Sequence, residues 1–269
     1  MPELPEVETV TKSIKKHLLN RKFKTLSINW PKVLHNFSEK DFQKKIKDQK
    51  IINIYRRAKY IILEFKTCII AIHLRMTGKL YVVTKIDKQN KHISAFLQFS
   101  DKYLIFEDTR KFGRFYMYNN INFLNNKLGV EPLSKDFCID WLSKNLYNRS
   151  RQMKYLLLDQ TFIAGLGNIY TDEALWHSRI HPLSKSNTIP IEKIKKLLNA
   201  IKKVLSESID SGGTTIRDYT YDYSYVGNYA LNLKAYGRKD SKCERCGSII
   251  TKHVVAQRGT YICPKCQKE

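Results

Sequence analysis

The spacing of apolar residues changes along the chain, and each change marks a different kind of element. From Glu3, the residues Val7, Val10, Ile14 and Leu18 recur at helical spacing. Glu6 and Glu8 fall in the first turn of this segment, and Lys15, Lys16 and His17 near its end, which complements a helix dipole. The pattern predicts a helix that docks on a core and holds the N-terminus rigidly. Residues 22–125 then read as strands. The β-rich runs 59–65 and 68–74 are split by a short polar turn, and further strands are expected around 96–99, 104–107 and 114–118. Several short strands with tight turns predict a sandwich.

A polar stretch over 125–132, ending in Gly129, Glu131 and Pro132, marks a boundary. Beyond it the period is helical, first on Trp141, Leu142 and Leu146, then on Met153, Leu156 and Leu157. A long amphipathic helix is expected on Ile191, Ile194, Leu198, Ile201 and Leu205, ending near Gly212 and Gly213. Between these, Gly165 and Gly167 make a tight turn, Asn168 is expected as a helix N-cap, and Asp172 and Glu173 sit in the next turn. The free N–H groups of such a helix start suit a phosphate; an ordinary capped helix has the same pattern. The stretch 214–236 is rich in Tyr and reads as a loop. Its alternating Tyr219, Tyr221, Tyr223 and Tyr225 fit either an edge strand or a surface that stacks on bases.

Composition narrows the partner. The 269 residues favour about two domains, and a hydrophobic fraction of 42% supports a real core. No apolar run approaches a membrane span, and the acidic start does not resemble a signal peptide, so a cytoplasmic protein is expected. Lys and Arg number 48 against 25 Asp and Glu, a net charge of +23, which points to a polyanion. Cys68 and Cys138 stand alone in apolar surroundings and read as buried thiols.

Three stretches carry candidate chemistry. Removal of Met1 would leave Pro2 with a free secondary amine, whose reference pKa of about 7.7–8.0 leaves a usable unprotonated fraction near neutrality. Such an amine attacks an electrophilic carbon and gives an iminium, and Glu3 next to it is placed to move a proton. Two loops, 73–79 and 108–114, each combine cations with one large apolar residue, Met76 or Phe112, as in proteins that wedge a duplex open. The alternative is a core residue beside a solvated basic face. Near the end, Cys243-x-x-Cys246 and Cys263-x-x-Cys266 form two thiolate pairs that complete a tetrahedral Zn²⁺ site. Four thiolates leave no open position, so the metal is structural. Lys252 and Arg258 lie between the pairs, where a hairpin would present them to a phosphate.

Together these stretches resemble the bacterial formamidopyrimidine-DNA glycosylase family over essentially the whole chain. The carriers are the run from Pro2 to Thr9, Arg57-Ala58-Lys59-Tyr60, Asp108-x-Arg110-Lys111-Phe112-Gly113, Gly165-x-Gly167-Asn168-Ile169-Tyr170, and the four-Cys tail with Gln257-Arg258-Gly259. Leu4 stands where the related endonuclease VIII branch has Gly, which favours the purine-repair branch.

The resemblance implies an α+β fold in three parts. These are an N-terminal catalytic β-sandwich with an N-terminal helix (1–125), then after a linker (126–133) a helix–two-turn–helix domain with a lesion-recognition loop (134–236), and a β-hairpin zinc finger (237–269). It implies a monomer that excises oxidised purines, such as 8-oxoguanine and formamidopyrimidines, from double-stranded DNA. The abasic strand would then be nicked by β- and δ-elimination. Pro2 would be the Schiff-base nucleophile at the sugar C1′, and Glu3 the acid for ring opening. Lys59 would act at the damaged nucleotide and in β-elimination, and Arg258 would grip phosphate and serve δ-elimination. Met76, Arg110 and Phe112 would fill the gap left by the flipped nucleotide, with Arg110 facing the orphaned base. Arg149, Lys154 and Asn168 would bind the backbone. Two departures stand out. The family's His-x-His pair is reduced to His92, with Ser94 in the second place, so a backbone contact there rests on His92. The Tyr-rich loop replaces a small, Gly-rich segment, which bears on lesion preference.

Overall fold

The computed structural model describes residues 1–87, 89–214 and 228–269, so the tyrosines at 219–225 lie outside the described residues. The chain divides into two compact units, Met1–Asn126 with Gly212–Asn228, and Lys127–Ser211 with Tyr229–Glu269.

The first unit opens on α1 (Leu4–Leu18), then β1 (Phe23–Ile28), α2 (Glu39–Ile46), β2 (Asn53–Arg57), β3 (Tyr60–Glu64), β4 (Ile69–His73), β5 (Gly78–Val83), β6 (Ile93–Phe99), β7 (Lys102–Asp108) and β8 (Arg114–Tyr118). The strands make two antiparallel four-stranded sheets, ordered β1-β6-β7-β5 and β2-β3-β4-β8. One core cluster holds the expected face of α1 (Val7, Val10, Ile14, Leu18) together with residues of both sheets. Each of those side chains is at most 1% exposed. Burial at that level contributes about 1.5–3 kcal/mol per large aliphatic residue, an upper figure for a compact denatured chain.

The strand reading of 22–125 fails at α2. Ser38 caps this helix and Asp41 closes the capping box. Its two buried residues, Phe42 and Ile46, lie four apart, and Phe42 packs edge-on to Phe23 at 5.2 Å. Two apolar positions are too few to show a period, so the cap was the legible signal. The strands β1, β2 and β5 also went unmarked. In β1 a bulge between Phe23 and Thr25 breaks the alternation.

The second unit carries α4 (Ile139–Tyr147), α5 (Met153–Leu158), α6 (Asn168–Ser178), α7 (Ile191–Asp210), β9 (Thr251–Val255) and β10 (Arg258–Ile262); the short α3 (Asn122–Lys127) ends at its start. The helix α7 exists as expected, but its buried face is Ile194, Leu197, Ile201, Val204, Leu205 and Ser208. Ile191 is exposed and Leu198 only half-buried. Both lie at the edge of a stripe set by packing on α6, where Tyr170 and Ser208 share a 2.6 Å hydrogen bond. Nearly every residue of α6 from Tyr170 onward is buried, so it has no amphipathic stripe and threads the unit's interior. Cys68 is buried as expected, whereas Cys138 is only half-buried at the start of α4. Among the described residues, no helix is long and apolar enough to cross a membrane.

Candidate functional site

In the first unit the site begins where α1 begins. Glu3 is the N-cap, in extended conformation, and forms a capping box with Glu6, whose Oε2 accepts from the Glu3 N–H at 2.8 Å. The second oxygen of Glu6 accepts from the Thr214 N–H at 2.8 Å. Gly213 (φ +88) passes so close that a Cβ there would lie 3.2 Å from Glu6 Cγ. Pro2 and Glu3 are buried while Met1 stands exposed in front of them. Met1 lines a cavity of about 520 Å³ with His35, Arg75, Met76, Phe112, Arg114 and Tyr116. The residue in front of the predicted nucleophile, Met1, therefore shares one cavity with the two predicted wedges.

Lys59 sits on the two-residue turn between β2 and β3, next to Ala58 in left-handed conformation (φ 53). Arg56 ties this turn to α1. Its Nε donates to Glu8 at 2.8 Å and its Nη1 to the Ala58 carbonyl at 3.0 Å. Lys59 is only 5% exposed. Nearby, His73 is held neutral. Burial, then the Arg75 and Lys59 charges, bring its pKa down to about 3, and its Nδ1 accepts from the Arg75 N–H at 3.0 Å.

Met76, Arg110 and Phe112 come together although they lie on two loops. Arg110 Nη1 is 3.3 Å from Met76 Sδ, and its guanidinium lies 4.8 Å above the Phe112 ring. Both apolar side chains are 46% exposed, so neither is core. The organiser is Asp108, a residue given no role from sequence. Its carboxylate is fully buried and accepts from Thr77 Oγ1 (2.5 Å), the Arg110 N–H (3.2 Å) and the Gly113 N–H (2.8 Å). One side chain thus pins both loops. An Asp at the head of a Gly-containing turn was the available signal. Gly113 is required here, because a Cβ would lie 2.2 Å from the Phe106 ring. His92 is exposed just before β6, and its carbonyl accepts from the Asp108 N–H at 2.9 Å. Ser94 is only 2% exposed and its hydroxyl has no partner, so it is not presented at the surface in place of a second His.

In the second unit, α6 organises the predicted residues. Asn168 is not the N-cap: Gly167 caps the helix without a side-chain bond, and Asn168 is its first residue. Its amide reaches out instead, donating to the Gly259 carbonyl at 2.8 Å, with Oδ1 buried and unpartnered. Lys154, expected to hold the DNA backbone, has no exposed surface. Its ammonium donates to Asp172 at 2.5 Å and lies 3.4 Å from the same Gly259 carbonyl. A buried charge must be compensated where it lies, and Asp172 does so. Burial pushes the Asp172 carboxyl above the usual carboxylate range, against the pull of Lys154 and the Tyr261 N–H. Its second oxygen accepts from that N–H at 3.1 Å. Glu173 accepts from the N–H groups of Lys234, Ala235 and Tyr236 at 2.8–2.9 Å. The sequence places Asp172 and Glu173 in a helical turn without assigning them a role; they are the sockets in which the hairpin and its lead-in segment dock.

Arg258 opens β10 after a turn with two left-handed residues, Ala256 (φ 53) and Gln257 (φ 55), and is exposed. Arg149 is exposed after α4, its Nη1 donating to the Asn145 carbonyl and side chain. The Sγ atoms of Cys243, Cys246, Cys263 and Cys266 lie within 4.8 Å of one another. A Zn²⁺ with four thiolates at about 2.3 Å needs sulfurs about 3.8 Å apart, so small adjustments close the shell. The donor set and geometry fit one structural zinc.

Against known proteins, three families match in order. They are the Formamidopyrimidine-DNA glycosylase N-terminal domain over residues 1–115, the Formamidopyrimidine-DNA glycosylase H2TH domain over 128–220, and the zinc finger found in FPG and IleRS over 240–268. The formamidopyrimidine-DNA glycosylase of Herpetosiphon aurantiacus is 42% identical, covering 99% of this chain and 100% of its own length. That of Ligilactobacillus salivarius is also 42% identical, over 99% of each. A mutant Lactococcus lactis FPG crystallised with Fapy-dG-containing DNA superposes with a TM-score of 0.93 at 36% identity, over 100% of both chains. The Lactococcus lactis Fpg bound to abasic-site DNA gives the same score and identity, over 99% of this chain and 100% of that one.

Proposed function

The chain belongs to the formamidopyrimidine-DNA glycosylase family, a glycosylase of DNA repair, and from that premise we propose a bifunctional enzyme that works through its N-terminal amine. Its substrate is duplex DNA carrying an oxidised purine or an abasic site. Once Met1 is removed, the Pro2 nitrogen attacks C1′ of the extruded nucleotide. The bond from C1′ to the base breaks and the base leaves. Glu3 gives a proton to the ring oxygen as the sugar opens, leaving a Pro2–C1′ iminium. The iminium makes the C2′ proton acidic; its loss expels the 3′ phosphate, and a second elimination expels the 5′ phosphate. Lys59 and Arg258 meet these phosphates and steady the departing charge. Met76, Arg110 and Phe112 occupy the space the nucleotide vacates, since a base inside the stack is out of reach.

The observation that carries this reading is the position of Pro2. It lies buried directly behind Met1, the exposed residue that lines a cavity with Met76 and Phe112. The rigid cap of α1, closed by Glu6 on the Glu3 N–H, supports it, because a nucleophile must be held in place by the groups around it. Arg149, His92 and the second N–H of the Asn168 amide, whose first holds Gly259, are assigned to backbone phosphates, and Lys154 to holding the hairpin. The reading carries with it a monomer in the cytoplasm. Borohydride trapping tests it. Reduction should leave a covalent adduct on an 8-oxoguanine or formamidopyrimidine duplex, mapped by peptide mass spectrometry to Pro2. An N-terminal extension should abolish the adduct; an adduct on a lysine, surviving the extension, would refute the assignment.

A further inference from the structure

The indole of Trp176 is a buried donor with no accounted acceptor. The residue sits on α6, is 5% exposed, and its Nε1 finds no hydrogen-bond partner that meets the distance and angle for one. Buried N–H groups left unsatisfied are rare because their desolvation is not repaid. The side chain lies in a small core cluster with Ala235, Cys243, Ile250 and Cys263, two of which are zinc ligands. The buried side-chain heteroatoms among those neighbours are the sulfurs of Cys243 and Cys263, and Cys243 belongs to the same knuckle as Arg245. The guanidinium of Arg245 lies over the ring at 4.0 Å, and Arg245 Nη1 donates to the Trp176 carbonyl at 3.1 Å. The indole is thus clamped by a residue of the Cys243–Cys246 knuckle itself.

We propose that Trp176 is a positioning residue of the zinc centre, its indole N–H donating to the Cys243 thiolate. Four thiolates on one divalent ion leave a net charge of −2, spread over sulfurs that accept hydrogen bonds. A donor there draws charge from the sulfur and fixes its direction, as outer-shell partners of metal ligands do. The residue also links two functions of α6. Asn168 and Asp172 hold the hairpin carrying Arg258, and Trp176 on the same helix holds the metal that stiffens it.

The test is Trp176→Phe in the full chain, which keeps an aromatic ring under Arg245 and deletes the N–H. Zinc transfer to a chromophoric chelator should accelerate about ten-fold or more, the usual scale for loss of an outer-shell partner. In the Co²⁺-loaded protein the thiolate-to-metal charge-transfer band should move to longer wavelength, because a sulfur freed of its donor gives up charge more easily. Unchanged zinc release, or faster release with an unmoved cobalt band, overturns the proposal, the second result marking a packing role. If the variant does not fold, the unaltered protein loaded with ¹¹³Cd decides. Its Trp176 indole proton, assigned with Trp30→Phe and Trp141→Phe, should exchange slowly and couple to the cadmium through sulfur. An uncoupled, fast-exchanging signal overturns it.

Discussion

Asp108→Ala should disable the two loops proposed to open the duplex without touching any residue assigned to the chemistry. The carboxylate is fully buried and accepts three bonds, from Thr77, Arg110 and Gly113. Bonds to a charged acceptor contribute about 1.5–3 kcal/mol each, and a stranded buried donor costs about 1–3 kcal/mol. The three share one side chain, so their losses overlap, and the Thr77 hydroxyl can turn elsewhere. A net loss of about 3–5 kcal/mol is expected for Asp108→Ala, the range for breaking a buried polar network. Asp108→Asn separates the contributions. Its oxygen can keep Thr77 and Arg110, while its NH₂ then faces the Gly113 N–H, donor against donor. That variant should lose about half as much. Urea unfolding followed by far-UV circular dichroism measures both, and fluorescence anisotropy on a duplex with an abasic analogue measures the consequence. Affinity should fall at least about ten-fold in Asp108→Ala, because Met76, Arg110 and Phe112 no longer share one geometry. If Asp108→Ala unfolds at the wild-type urea concentration and binds the duplex as tightly, the pinning role is wrong.

Three further outcomes follow from the same contacts. Glu6→Ala removes the carboxylate that accepts from the Glu3 and Thr214 N–H groups and should both destabilise the first unit by about 2–4 kcal/mol and lower the yield of borohydride trapping, read by urea titration and gel shift. Acid should weaken the first unit through His73. Its folded pKa lies below its ordinary value, at about 3, so the folded state binds fewer protons than the unfolded. The stabilisation is complete above pH about 6.5 and is lost toward pH 3, at no more than about 1.4 kcal/mol per pH unit. His73→Phe should flatten that part of a stability–pH profile, and an unchanged slope would exclude His73 as its source. Stripping zinc with a chelator should abolish binding of damaged duplex and restore it on adding Zn²⁺. The α1 and sandwich signals should persist in hydrogen exchange, since their core is made within the first unit.

Periodicity and local chemistry were enough for part of this protein. The α1 stripe, the runs that became β3, β4, β7 and β8, the existence of α7 and the four-Cys metal site were legible because each is set by neighbours in sequence. What the sequence could not decide depends on partners far along the chain. Asn168 looks like a cap from its neighbours, yet its amide is claimed by Gly259, 91 residues away. Lys154 looks like a surface cation until Asp172 and the hairpin close over it. Asp108 joins two loops 31 residues apart through Thr77, and the buried edge of α7 was fixed by the helix against it. Local spacing determines what a segment can form, whereas desolvation, which only the packed fold imposes, decides which polar groups must find each other.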